Sequence, residues 1–118
     1  MKVYLTLLFT HGSNEAFLER WLSKMGTELR VGDALFSFHA GGKAMTFPSP
    51  ASGTLKVTLC REGEALQRGA AIAVFLSPEA PAKELEKKGL GKILTPDEYQ
   101  EALAHAEAAS IRLPPEEL

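Results

Sequence analysis

"LSKMGTELRVGDALFSF" at residues 22–38 lies over "LCREGEALQRGAAIAVF" at residues 59–75, an offset of 37 positions. Leu22, Gly26, Leu29, Gly32, Ala34 and Phe38 meet identical residues at Leu59, Gly63, Leu66, Gly69, Ala71 and Phe75, while Lys24 meets Arg61 and Leu35 meets Ile72. A glycine that returns at the same place marks a backbone turn that a Cβ would resist. Each copy therefore reads as strand, glycine turn, short bridging segment, glycine turn, strand. Two such copies predict two similar sheets facing one another, with alternate residues of both making a shared core.

Working outward, residues 39–53 join the two copies across one pole of the domain, and the chain ends meet near the opposite pole. The joining region contains "FSFHAGGKAMTFPSPASG" (36–53), in which two short alternating apolar runs flank Gly41-Gly42. It reads as a tight hairpin with Lys43 at the tip. That place suits presentation to a partner, although a charged loop tip is also the default on any surface.

Before the repeat, "SNEAFLERWLSKMG" (13–26) sets Phe17, Leu18, Trp21, Leu22 and Met25 on one helical stripe, behind a polar Ser13/Asn14 start and ahead of Gly26. Its counterpart "GTLKVTLCREG" (53–63) alternates instead, with Leu55, Val57 and Leu59 on one face. Because symmetry constrains both copies, residues 16–23 are expected to be a strand, with Leu18 and Leu22 equivalent to Leu55 and Leu59. After the repeat, "SPEAPA" (77–82) reads as a Pro-rich linker to a helical extension over residues 83–118, carried by "KELEKKG" and "TPDEYQEALAHAEAA". Thr95 is a good N-cap, Pro96 fits the first helical position and Glu98 completes a capping box. Residues 111–118 read as frayed.

The chain of 118 residues, 45% hydrophobic and 24% charged, has the composition of one soluble globular domain. No run approaches the length of a membrane span, and "MKVYLTLLFTHG" is too short and too alternating for a signal peptide, so no membrane partner is expected. The single Cys60 excludes an internal disulfide and a cysteine zinc cluster, and it points to a reducing cytoplasm. One Asn, two Gln and one Cys is a sparse set of heat-labile side chains, a hint of a thermophile. Residues 1–76 carry eight Lys/Arg against six Asp/Glu, and residues 77–118 carry five against nine. A barely basic body with an acidic tail is no footprint for nucleic acid, which needs clustered cations.

Residues from about Gly12 to Leu76 resemble a lipoyl/biotinyl attachment domain of the lipoyl-like, single-hybrid-motif type. The matching residues are "RWLSKMGTELRVGDALFSF", Lys43-Ala44, "PSPASGTL", "REGE", Gly69 and "AIAVFL". The resemblance implies an all-β fold, a flattened barrel of two small antiparallel sheets (a barrel-sandwich hybrid) with pseudo-two-fold symmetry. That barrel would occupy residues 1–76, with the linker at 77–82 and the helical extension at 83–118. It further implies that Lys43 is the lysine joined by an amide to lipoate, with Gly41, Gly42 and Ala44 shaping the hairpin turn. Biotin is the alternative cofactor. The residues before the lysine, His39-Ala40-Gly41-Gly42, differ both from the acidic run of lipoyl domains and from the methionine-flanked lysine of biotinyl domains. Lysine followed by alanine and then "TFPSPASG" favours the lipoyl branch.

The function so implied is that of a carrier, shuttling acyl groups or electrons on the modified lysine. Its partners would be a lipoylating enzyme and the components of a 2-oxoacid dehydrogenase or related complex. The tail "GLGKILTPDEYQEAL" is faintly similar to the peripheral-subunit-binding domain of dihydrolipoyl acyltransferases. An unmodified barrel serving as an interaction or assembly module, with the helical tail as the contact, is the other reading. The residues themselves offer no catalytic constellation, so the chain is expected to be an accessory domain and not an enzyme. His11, His39 and His105 are too scattered for a metal set, and His39 reads as a hairpin-flank residue. Cys60, aligned with Ser23, reads as a small buried filler, Trp21 as a packing residue, and Asp33 and Glu62–Glu64 as turn residues.

Overall fold

A computed structural model describes residues 1–10 and 15–111, with the side chains of residues 1–10 and 15–104. Ser13, Asn14, His11, the side chain of His105 and the end at residues 112–118 therefore lie outside the described residues. The strands are β1 (Lys2–Leu8), β2 (Ala16–Trp21), β3 (Glu28–Leu29), β4 (Ala34–Ala40), β5 (Lys43–Pro48), β6 (Gly53–Thr58), β7 (Ala65–Leu66), β8 (Ala71–Pro78) and β9 (Gly91–Leu94). Helix α1 (Glu79–Lys87) precedes β9, and α2 (Pro96–Ile111) follows it. The strands form a five-stranded sheet in the order β3-β6-β8-β1-β9 and a four-stranded sheet in the order β5-β4-β2-β7, and every pair is antiparallel.

The two sheets obey the 37-residue repeat down to their irregularities. Adding 37 to the ends of β2 and β3 gives those of β6 and β7, and β4 starts 37 residues before β8. The pair Leu18↔Phe38 becomes Leu55↔Phe75, and the bulge at Glu19 becomes a bulge at Lys56. Across the barrel, the Gly26 N–H donates to the Leu55 carbonyl at 2.7 Å, and the Gly63 N–H donates to the Leu18 carbonyl at 2.6 Å. Even β1 and β5, which lie outside the aligned stretch, are equivalent. Ala34↔Pro48 on one side matches Ala71↔Leu8 on the other, so β5 residues correspond to β1 residues 40 positions earlier.

The core between the sheets is made by the inward side of this alternation. Leu18, Leu55, Phe36 and Phe75 are fully buried, and Phe9 meets Phe38 edge-on at 5.2 Å while Phe36 stacks on Phe47 at 4.9 Å. The stretch 13–26, whose local pattern is helical, is a strand followed by a turn over its described part. Of its apolar stripe only Leu18 is buried, whereas Phe17 is 44% and Met25 60% exposed. Cross-barrel pairing decided the conformation against the local period.

Residues 77–82, expected as a linker, are not an irregular joint. Strand β8 runs on to Pro78, the Glu79 N–H donates to the Met1 carbonyl at 3.0 Å, and α1 starts there, with Ala82 fully buried in the main core. The extension then returns as β9 along the outer edge of β1, a strand that the sequence reading did not contain. Helix α2 covers the outer face of the five-stranded sheet. Tyr99 buries Val57 and Val74 and stacks on Tyr4 with ring centroids 3.8 Å apart. The expected cap is present, since the Thr95 N–H donates to Glu98 Oε1 at 2.8 Å and the Glu98 N–H to Thr95 Oγ1 at 3.2 Å. Among the described residues no helix is long and apolar enough to cross a membrane.

Candidate functional site at the β4–β5 hairpin

Strands β4 and β5 pair from Ala40↔Lys43 onward, which leaves Gly41 and Gly42 as the only two residues of the turn. Their φ angles are +60° and +81°. Two successive positive φ values define the turn whose twist matches that of the strands it joins, and glycine takes them without strain. Lys43 is therefore the first residue of β5, one step past the turn, and Ala44 is the second. Lys43 and Ala44 are both exposed. Among the described residues Lys43 has no ion pair.

Beside the hairpin, on the outer face of the four-stranded sheet, cross-strand register lines up Phe17, His39 and Ala44. The Phe17 and His39 rings stack with centroids 5.0 Å apart and planes 2° from parallel. His39 Nε2 lies 3.3 Å from Glu19 Oε2, and the Ser37 hydroxyl donates to Glu19 Oε1 at 3.1 Å. These hydrogen bonds, first from His39 and then from Ser37, favour the ionised carboxylate and lower the pKa of Glu19 below its ordinary value. His39 is thus a strand residue anchored in a surface cluster. Phe17 and Glu19 are not legible as its neighbours in the sequence, because only the register of two strand pairs brings them together.

The remaining candidates are structural in their surroundings. The Cys60 thiol is buried, donates to the Ala71 carbonyl at 3.4 Å, and is pushed up to about 11 by desolvation and then by Glu64. Its counterpart Ser23 makes the equivalent bond to the Ala34 carbonyl at 2.8 Å. A thiol so held has little thiolate to offer a substrate. Trp21 packs edge-on against Phe36 at 5.1 Å and donates its indole N–H to the Cys60 carbonyl at 2.9 Å. Asp33 and Glu64 close their own turns by accepting from the N–H groups of Arg30 and Arg61. Among the described residues no group of three or more His, Cys, Asp or Glu side chains is gathered for a metal ion.

No family model matches the chain, and no curated protein is significantly similar to it.

Proposed function

We propose that the chain is a carrier domain whose Lys43 is acylated by lipoate and passed between partner enzymes. The observation that carries the reading is the setting of Lys43, exposed and free of ion pairs among the described residues, directly after a two-glycine turn that joins the repeat copies. A modifying enzyme must reach the amine without unfolding anything, and a rigid tight turn offers it that way. On acylation the deprotonated Nζ amine attacks the carbonyl of an activated lipoyl donor and displaces its leaving group, and the side chain becomes a neutral amide. The attached dithiolane would supply the chemistry by taking up an acyl group or two electrons, as cofactors generally do. The chain's own part is to hold the arm at a fixed place and to show partners the neighbouring surface of Phe17, His39 and Glu19.

A second reading, an unmodified barrel acting as an interaction module, draws on that same surface, since Phe17 is 44% exposed and held flat by His39. The helical tail is a poorer contact for it than the sequence suggested, because α2 is docked on its own sheet. Intact-protein mass spectrometry on material from the native host separates the two. A lipoyl adduct is expected, lost in Lys43→Arg with an unchanged melting temperature. A biotin adduct would redirect the cofactor assignment, and an unmodified mass, where other lipoyl proteins of the host are loaded, would leave the interaction module.

A further inference from the structure

We propose that the open edge of β5 is a self-pairing site, through which two copies of the chain join their four-stranded sheets into one continuous sheet of eight. The inference is independent of whether Lys43 is modified. It starts from the one place, among the described residues, where the pseudo-two-fold symmetry is broken at a sheet edge. The outer edge of β1 is covered by β9, which pairs with Tyr4, Leu5, Thr6 and Leu7. The equivalent residues on β5 are Ala44, Met45, Thr46 and Phe47, and among the described residues no strand pairs with them on that side. The molecule itself thus demonstrates that this backbone geometry accepts a further antiparallel strand.

The hydrogen-bonding groups follow from the same equivalence. Residues Tyr4 and Thr6 face β9, and the Leu8 N–H continues the series by donating to the Leu90 carbonyl at 3.2 Å. By the equivalence, Ala44 and Thr46 turn their N–H and C=O groups away from β4, as they must after a two-residue turn closed by Ala40 and Lys43. Such a row is a template for pairing unless something blunts it. The blunting devices, Lys43 and Pro48, stand at the two ends of β5 and leave the centre open.

A second copy fits this centre better than a strand of unrelated sequence, because β5 is complementary to itself. With the two-fold axis at Met45, Ala44 pairs with Thr46 of the second copy and Thr46 with its Ala44, giving four backbone hydrogen bonds. The two Met45 side chains meet on the inward side, and each Lys43 falls opposite Phe47. The two lysines are then about 13 Å apart along the strands, beyond the roughly 8 Å screening length of physiological salt. No like charges oppose one another. Pairing also completes the burial of Met45, which is 36% exposed where its equivalent Leu5, covered by β9, is fully buried. Four hydrogen bonds and a methionine pair fall below the roughly 1,200 Å² total of a stable interface, so the dimer is a weak one in rapid exchange.

Sedimentation velocity of the full chain over a concentration series, up to the highest attainable, tests this. A monomer–dimer equilibrium is expected, and Met45→Glu, which sets two carboxylates face to face, should weaken it by at least about tenfold with unchanged circular dichroism. In Met45→Cys the introduced thiols should form an intermolecular disulfide under mild oxidation faster than those of Val31→Cys, an exposed control in the turn between β3 and β4; the native Cys60 is buried. A chain that stays monomeric at every concentration, with cross-linking no faster at position 45 than at position 31, overturns the proposal and leaves the edge to a different partner.

Discussion

Ala16 and Gly53 occupy the same place in the two copies of the repeat, yet they do not have the same neighbours. Gly53 has φ +156°, and a Cβ there would come within 2.5 Å of the Leu76 carbonyl oxygen, whereas Ala16 is an ordinary buried strand residue. At this scale the sequence displayed glycines at turns, including Gly41 and Gly42, because a positive φ writes itself as glycine. It did not display the company of His39. The contact with Glu19 depends on the bulge between Leu18 and Arg20, and no single-strand pattern announces a bulge. The cluster has a consequence for titration. The pKa of Glu19 is lowered by hydrogen bonds from His39 and Ser37, so the carboxylate form is favoured in the folded chain. Its contribution is present above the unfolded-state pKa and is lost as pH falls through the lower folded value, in the acid range below the ordinary glutamate pKa. In a carboxyl-resolved NMR titration, His39→Ala should return the Glu19 midpoint toward its ordinary value. An unmoved midpoint would show that His39 does not hold the carboxylate.

Elements were legible where their signals are local and lost where a neighbour supplies the reason. Helix α2 announced itself by Thr95, Pro96 and Glu98, and the reciprocal bonds of that capping box are present. Strand β9 did not announce itself. "GKIL" is four residues long, follows Gly89-Leu90, and is a strand only because β1 lies beside it with an unpaired edge. The end of β8 is hidden in the sequence for a related reason. Pro78 reads as a breaker, but it sits opposite Lys2 at the last pair of the ladder, where a missing N–H costs little. The cap carries a measurable share of the tail's docking. Thr95→Ala leaves the Glu98 N–H without its side-chain acceptor and should cost about 1 kcal/mol. In a chain of this size that is a fall of roughly 4 °C in the thermal midpoint. A loss of less than a tenth of that would mean that α2 is held by the packing of Tyr99 and Leu103 and not by its cap.

Across the whole molecule, the backbone is symmetric and the surfaces are not. The fold was readable from the repeat because two copies of one turn chemistry can close only on each other. What the two copies do with their outer faces was not readable, since it depends on what covers them. Val57 and Val74 on the five-stranded sheet correspond to Arg20 and Ser37 on the four-stranded one. The first pair lies under Tyr99, and the second faces outward beside the Lys43 hairpin. Docking the tail therefore commits one face to the chain's own helix and leaves the other exposed. Truncation after Ser77 puts this division to the test. The cross-barrel hydrogen bonds of the repeat and the cluster of Phe9, Phe36, Phe38 and Phe47 would all remain, so a single cooperative unfolding transition is expected. The truncated chain would, however, expose Val57, Val74 and Tyr4 and uncover the edge of β1 at Tyr4–Leu7. Each of the two valines is worth about 1.5–3 kcal/mol when fully covered. The thermal midpoint should therefore fall by more than about 10 °C, and the freed edge should make the truncated protein self-associate more strongly than the full chain. Calorimetry and sedimentation on the same preparation read both effects. If no transition survives, Ala82, Leu85 and Ile93 complete the core itself, and the tail is a structural part of the barrel and not its cover.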